Sequence, residues 1–251
     1  MKAVRILVLA DIHGNRWALE AVLEDARRYR PHLIVNLGDS LYGPLDPDGT
    51  ARILRDLDAV CVSGNEDRLI LEGVGGESPA PTLRFVLDRL RKTDLDWLGR
   101  GVPRAEACGG RVLLCHGTPQ RDDRYLCEEV ADGGVTLKTP RALEDQLAAV
   151  DAELILCGHS HTPRVVWIAG SRCVVNPGSV GLPAYVDDLP YPHVVETGSP
   201  HARYAILTLV QGGWRVEHVA VRYPWERAAR AARAHGRHDW AQWLLAGRAT
   251  F

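Results

Sequence analysis

The sequence predicts an α/β fold, a two-sheet β-sandwich flanked by helices, and three observations carry that expectation. The first quarter alternates short apolar runs (5–10, 33–39, 58–65) with helical stretches, the rhythm of βα units with parallel strands. From Val102 onward the pattern changes to paired strand-like runs around glycine turns. No linker and no internal repeat divides the 251 residues, a length that can bury a substantial core. Residues 1–221 are therefore expected to form the main domain, with 222–251 a helical tail packed on it.

The elements follow in order. Arg5 to Ala10 reads as a buried strand and Asn15 to Tyr29 as a helix that Asn15 caps, with Trp17, Ala21, Val22 and Ala26 near one face. Leu33 to Asp39 is a second strand, Asp48 caps a helix to about Leu57, and Asp58 to Asn65 is a third strand. Gly73 to Pro81 reads as a loop and Thr82 to about Gly99 as one helix. Gly109-Gly110 joins two hairpin arms, Ala105–Cys108 and Arg111–Cys115. A charged loop runs from Thr118 to Thr139, and Pro140 opens a helix to about Val150. Glu153 to Cys157 is a buried strand, Arg164–Ile168 and Arg172–Val175 pair around Ala169-Gly170-Ser171, and Ala202–Leu209 pairs with Trp214–Val221. The tail is helical from Trp225 to Leu245, and its Trp240, Trp243 and Leu244 either pack on the body or meet a partner.

Composition narrows the function. A net charge of −2 gives no reason to expect a general nucleic-acid binder. No window approaches the roughly 20 apolar residues of a membrane span, and the start lacks a signal-peptide pattern, so the expected location is the cytoplasm. The six cysteines contain no C-x-x-C pair and read as reduced core residues.

The chemistry gathers at strand ends. Asp11 and His13 lie two apart after the first strand, and His159 and His161 repeat that spacing. Asp39, Asn65 and His116 end three further strands. Each has an ordinary alternative, a cap or a hydrogen-bonded core histidine. Together, seven such residues at the carboxyl ends of five strands point to one ligand site. Carboxylate, imidazole and amide oxygen suit Mn, Fe or Zn rather than a soft metal.

Asp11-Ile12-His13-Gly14-Asn15, Gly38-Asp39, Gly64-Asn65-Glu66-Asp67, His116-Gly117 and Gly158-His159-Ser160-His161 resemble, in order, the five signature blocks of the calcineurin-like metallophosphoesterases. Asn176-Pro177-Gly178-Ser179 and Gly38-Asp39-Ser40-Leu41-Tyr42-Gly43-Pro44 are similar to the short prokaryotic, phosphodiesterase-type branch. The resemblance implies a four-layer α/β/β/α sandwich and a dinuclear centre: Asp11, His13 and His161 on one ion, Asn65, His116 and His159 on the other, Asp39 bridging. The two divalent ions would be Mn or Fe, with Zn or Ni as alternatives. The implied reaction is phosphodiester hydrolysis by a bridging hydroxide, on a small phosphate ester or nucleotide. An arginine that grips substrate phosphate in other branches is missing, because Tyr42-Gly43-Pro44 occupies its region.

The pattern departs at Glu66, where most of the family carries a catalytic His. Glu66 is then a protonated general acid, a structural or substrate-selecting residue beside metals that do the chemistry, or the mark of a catalytically weak scaffold or nucleotide-binding sensor. Asp67, which would support that His, is expected either to pair with Arg68, Arg16 or Asn15 or, with Arg68, simply to form a solvated helix start. Asn15 and Arg16 are candidate substrate contacts. The loop with Tyr185, Asp187, Tyr191, His193 and His201 is a candidate roof, and the tail a candidate oligomer contact. His218, His235 and His238 receive no role.

Overall fold

Arg5-Ile6-Leu7-Val8-Leu9 forms β1 (Arg5–Leu9), and its side chains alternate between two separate cores. Ile6 and Val8 face one way, Leu7 and Leu9 the other, and all four are buried. A strand apolar on both faces must lie inside a layered structure. The computed structural model describes residues 4–76, 80–132, 134–168 and 172–250.

In chain order the elements after β1 are α1 (Arg16–Ala26), β2 (Leu33–Asn36), α2 (Pro47–Arg55), β3 (Val60–Cys61), α3 (Asn65–Glu72), α4 (Pro81–Leu87) and α5 (Lys92–Leu98). Next come β4 (Arg104–Ala107), β5 (Val112–Cys115), β6 (Glu128–Ala131), β7 (Gly134–Leu137), α6 (Pro140–Gln146), β8 (Leu154–Leu156), β9 (Arg164–Trp167) and β10 (Cys173–Asn176). The chain ends with β11 (Ala184–Asp187), β12 (His193–Glu196), β13 (Ala202–Val210), β14 (Gly213–Val221), α7 (Trp225–Ala234) and α8 (His238–Ala246).

Two five-stranded sheets face each other, one ordered β14-β13-β1-β2-β3 and the other β4-β5-β8-β10-β9. Ile6, Val8, Val35 and Leu207 from the first sheet meet Leu114, Leu156 and Val175 from the second in a shared core. The first sheet's other face packs on α1, α2 and the tail helices through Leu7, Leu9, Leu19, Leu54 and Ala228. The second sheet's outer face packs on α6 through Leu113, Ile155, Leu143 and Leu147. These are the four layers expected. β1 and β2 run parallel, as do β5, β8 and β10, so their carboxyl ends gather on one side. No helix among the described residues is long and apolar enough to cross a membrane.

Several local expectations are corrected. Asp46, not Asp48, caps α2: its Oδ1 accepts from Gly49 N at 3.1 Å, and Pro47 takes the first helical position, where no N–H is needed. The expected helix over 82–99 is two helices, since the Asp94 carboxylate accepts from Arg91 N at 2.9 Å and restarts the chain at Lys92. The third strand is only Val60–Cys61, and Asn65 instead begins α3. The charged stretch from Thr118 contains the hairpin β6–β7, and the 185–201 loop contains β11–β12. The tail breaks into two helices at His235–Arg237. Around Gly109-Gly110 the last pair is Ala107 with Val112, leaving a four-residue connection. Ala169-Gly170-Ser171 lies outside the described residues, although β9 and β10 pair antiparallel on either side. All six cysteines are free, four of them buried.

Candidate active site

Five of the seven candidate ligands hold the left-handed backbone conformation: Asp11 at φ 54°, His13 at 53°, Asp39 at 52°, His159 at 66° and His161 at 52°. For a non-glycine residue each such turn costs of order 1–3 kcal/mol, and surrounding structure must impose it. Here the loops leaving β1 and β2 are joined backbone to backbone. Asp11 N donates to Gly38 O at 3.0 Å, His13 N to Asp39 O at 2.9 Å and Gly14 N to Ser40 O at 3.0 Å. Gly158 N donates to His116 O at 2.7 Å, which joins the loops leaving β5 and β8.

Buried side chains brace these loops. Asn36 Nδ2 donates to Ser40 Oγ at 2.9 Å, while Asn176 Nδ2 donates to Gly158 O at 2.8 Å and to Ser160 Oγ at 3.2 Å. Ser179 Oγ donates to Asp11 O at 2.7 Å. Asp67 pairs with none of the partners expected for it. Its two carboxylate oxygens accept from Ser40 N at 2.9 Å and Gly64 N at 3.1 Å, so it ties the Asp39 loop to the start of α3. Arg68 instead meets Asp122 and Glu72, and Arg16 meets Asp46 and Glu20. The bond to Gly64 N is the local capping contact of α3, three residues away, whereas Ser40 N is distant along the chain and leaves no local signal.

The imidazoles show what the cluster can hold. His161 Nδ1 donates to Leu182 O at 2.8 Å and His116 Nδ1 to Leu37 O at 2.7 Å. His13 Nδ1 lies 3.1 Å from Tyr42 O and 3.0 Å from Glu66 Oε2. A carbonyl only accepts, so in each ring Nδ1 carries the proton and the lone pair sits on Nε2. Those lone pairs point inward. His13 Nε2 and His161 Nε2 are 3.0 Å apart, and His116 Nε2 faces Asn65 Oδ1 at 3.1 Å and Asp39 Oδ2 at 3.2 Å. Asp11 Oδ2 is buried with no hydrogen-bond partner. Converging acceptors require a cation between them. One donor atom each from Asp11, His13 and His161 lies within 4.8 Å of the others, and the same holds for Asp39, His116 and His159. Oxygen and imidazole donors in two adjacent sets fit divalent cations of the Mn, Fe or Zn type.

With protons as the only cations, the cluster divides them unevenly. Burial disfavours the imidazolium of His116, but Asp39 and Asp11 overcome it and raise the pKa to about 10. Burial likewise opposes charge on His13, whose neighbours, Glu66 foremost, raise it to about 9. Burial and the adjacent His116 push His159 down to about 3. Burial, reinforced by Asp39, lifts Asp11 to about 7. Glu66 is also lifted to about 7 by burial, against the pull of His13.

A cavity of about 300 Å³ opens over the cluster, lined by His13, Asp39, Asn65, Glu66, His159 and His161. Tyr42, Tyr185, Asp187, Arg237 and Trp240 complete its wall together with further apolar residues. A second cavity of about 420 Å³ adjoins it through His159 and Asp187. Tyr125 lines the second and Tyr185 the first, and their hydroxyl oxygens are 2.5 Å apart. The expected roof is thus partly realised: Tyr185 and Asp187 reach the site, and His193 sits behind it, 2.8 Å from Tyr125 Oη. His201 packs on Trp225 instead. Asn15 and Arg16 do not line either cavity. Asn15 is fully consumed as the cap of α1 and as donor to Gly181 O and Tyr223 Oη, and Arg16 is turned to Asp46. Tyr125 and Arg237 were not singled out by the sequence, since nothing near them repeats the ligand spacing, and Tyr42 was noted only as standing where other branches carry an arginine.

Comparisons with known proteins agree with this geometry. Residues 4–211 match the family model of the calcineurin-like phosphoesterase superfamily domain. An uncharacterized protein of Methanocaldococcus jannaschii is 27% identical over 204 residues, which cover 71% of this chain and 76% of that one. The crystal structure of a metallophosphoesterase from Sphaerobacter thermophilus aligns with a TM-score of 0.76 at 26% identity, over 98% of this chain and 100% of its own. A hypothetical protein from Pyrococcus horikoshii OT3 shares the fold, with a TM-score of 0.75 at 17% identity over 98% and 100% of the two chains.

Proposed function

The chain belongs to the calcineurin-like phosphoesterase superfamily, and from that premise we propose that it hydrolyses phosphodiesters at a dinuclear metal centre. Metal-dependent phosphoester hydrolysis follows from the family and from the candidate ligand clusters. The observation that supports two ions is the pairing of donor sets, Asp11, His13 and His161 beside Asp39, His116 and His159. Asp39 lies in the second set and also groups with His13, the position a bridging carboxylate needs.

Asp11, His13 and His161 would hold one cation, and Asn65, His116 and His159 the other, with Asp39 shared. Bound there, two divalent ions would acidify a water molecule and neutralise charge on the phosphoryl oxygens. The protein's own part is orientation. Leu182 O, Leu37 O and Tyr42 O fix the tautomers of three ligating imidazoles. Glu66 N donates to Asp39 Oδ1 at 2.9 Å, fixing that carboxylate. The Glu66 carboxylate meets His13 Nδ1 at 3.0 Å. Its Oε2 has no hydrogen-bond partner and the His13 Nδ1 proton goes to Tyr42 O, so the contact is electrostatic, and in this reading Glu66 tunes His13 and is not the general acid. Without a dedicated acid, ester groups that leave readily are the preferred substrates, as aryl phosphodiesters do.

The scaffold reading, which rests on Glu66, gains nothing from the tail, because Trp240 and Trp243 are only 4% and 6% exposed. Residues 1–221 and the 222–251 tail act as one unit in this reading, since Arg237 and Trp240 line the cavity. The direct test is hydrolysis of bis-p-nitrophenyl phosphate by metal-stripped protein resupplied with Mn2+, Fe2+, Ni2+ or Zn2+. Turnover with at least one ion, abolished by Asp39→Asn, is expected. Inertness with all four ions would sink the proposal.

A further inference from the structure

We propose that Arg237, carried by the tail, binds an anionic phosphoryl oxygen of the substrate and sets its affinity. This rests on the phosphoesterase reading and adds a residue outside the family-matched segment of 4–211.

The cavity over the metal ligands is acidic apart from any bound ions. Asp39, Glu66 and Asp187 line it, and Arg237 is the one Arg or Lys among its described lining residues. A phosphoryl group entering there meets carboxylates on the protein wall, so a fixed cation on that wall selects for it.

The guanidinium is held firmly. Nε donates to Asp239 Oδ1 at 2.9 Å and Nη2 to Asp239 Oδ2 at 2.6 Å, while Nη1 donates to Thr82 Oγ1 on α4. The charge also sits over the Trp240 ring, 5.5 Å from its centroid. Trp240 in turn stands edge-on to His13, with 5.8 Å between centroids. A packed chain of Arg237, Trp240 and His13 therefore fixes the cation relative to a metal ligand. Three of the five guanidinium N–H groups are engaged, and one on each Nη remains to donate. Little further ordering is needed when a ligand arrives.

Other cations nearby do not line this cavity, and Arg237 differs from them by its place and not by being unpaired, since it too is paired with an acid, Asp239. Arg121 is paired with Asp123 in the adjoining cavity, and Lys138 Nζ donates to Tyr125 O, Leu126 O and Gln146 Oε1. Arg16 is paired with Asp46.

The test uses the full chain loaded with Mn2+. Binding of inorganic phosphate is measured by calorimetry and as inhibition of bis-p-nitrophenyl phosphate hydrolysis. Arg237→Met keeps the aliphatic stem over Trp240 and removes the charge. It is expected to weaken phosphate binding and raise KM by about tenfold or more, with kcat changed less than about threefold. Arg237→Lys should recover part of the phosphate affinity. Unchanged phosphate affinity in Arg237→Met, with melting temperature and bound Mn2+ unchanged, overturns the proposal. So does a loss that Arg237→Lys fails to recover at all, since packing rather than charge is then responsible. Calorimetry reads phosphate without turnover. A wild type that binds phosphate but leaves the diester intact therefore counts against the phosphodiesterase reading and not against Arg237.

Discussion

His13 Nε2 and His161 Nε2 face each other across 3.0 Å, each with its proton committed to the far side of the ring. Two nitrogens at that distance need a cation between them, a proton on His13 in the metal-free protein or a metal ion in its place, and bound metal should stabilise the fold. An ion present at a hundredfold over its Kd adds about 2.7 kcal/mol. For a chain of this size that corresponds to roughly 5–10 °C in melting temperature. Scanning calorimetry of chelator-treated and Mn2+-resupplied protein checks this, and His161→Ala should remove most of the gain.

The same cluster makes the metal-free protein sensitive to alkali. His116 is raised to about 10 and His13 to about 9, above the ordinary imidazole value near 6.5. Between pH 6.5 and about 9 the folded state therefore binds more protons than the unfolded state, and stability falls as pH rises. Metal binding must displace those protons, so metal affinity should climb through the same window. Melting temperature of the stripped protein should drop from pH 7 to 9, while that of the loaded protein should not. Proton release on Mn2+ binding, read by calorimetry in buffers of different ionisation enthalpy, should fade as pH approaches about 10.

Much of this was legible in the sequence, and for identifiable reasons. β1, β5 and β8 are buried on both faces, so they read as apolar runs, and the candidate ligands follow them by one to five residues. The spacing of Asp11 with His13 and of His159 with His161 survives folding because local turns fix it. Contacts across long sequence separations were not legible. Asn15 looked free to touch substrate, yet its amide is held by Gly181 and Tyr223, which only tertiary packing brings near. Asp67 looked like a partner for arginine, but buried backbone N–H groups take it. Arg237 reaches the site only because α7 and α8 fold back over α1 and the loop at Gly43, where an added Cβ would lie 3.0 Å from the Trp240 ring.

Glu66 and His13 offer a separation of roles. Glu66→Gln keeps the side chain's size but removes the charge that lies 3.0 Å from His13 Nδ1. Loss of such an outer partner typically costs 10- to 100-fold in metal affinity or activity. The expected outcome is weaker Mn2+ binding with near-normal kcat on bis-p-nitrophenyl phosphate once metal saturates. A large kcat loss at saturating metal would instead identify Glu66 as the acid. Glu66→His should help esters with poor leaving groups if no acid acts in the native site.

Gly64 leaves no room for a side chain. A Cβ there would lie 2.1 Å from Asp39 Oδ1 and 2.6 Å from Asp39 N, so Gly64→Ala must move the Asp39 carboxylate. Because its backbone is extended at φ −91°, the cost is steric and not conformational. Diester hydrolysis should fall at least about a hundredfold, since a displacement of about 1 Å in a reacting constellation suffices for that. The chelator-dependent shift in melting temperature should shrink in parallel.

Tyr125 and Tyr185 pack on two of the candidate ligand histidines, His159 and His161. The Tyr125 ring packs on His159 with 5.0 Å between centroids and the Tyr185 ring on His161 with 4.6 Å. Their hydroxyls meet at 2.5 Å, and His193 receives the Tyr125 proton because its own Nδ1 donates to Tyr191 O. Tyr185→Phe keeps both rings but removes the hydroxyl whose single proton is available to the Tyr125 oxygen at 2.5 Å and His159 O at 3.1 Å. A destabilisation of about 1–3 kcal/mol is expected from the unsatisfied groups, with Mn2+ affinity little changed. Tyr185→Ala also removes the ring between the two cavities. It should lower Mn2+ affinity by loosening His161 and raise relative activity on diesters with bulkier substituents. Equal Mn2+ affinity in the Phe and Ala variants would show that the ring contact does not position His161.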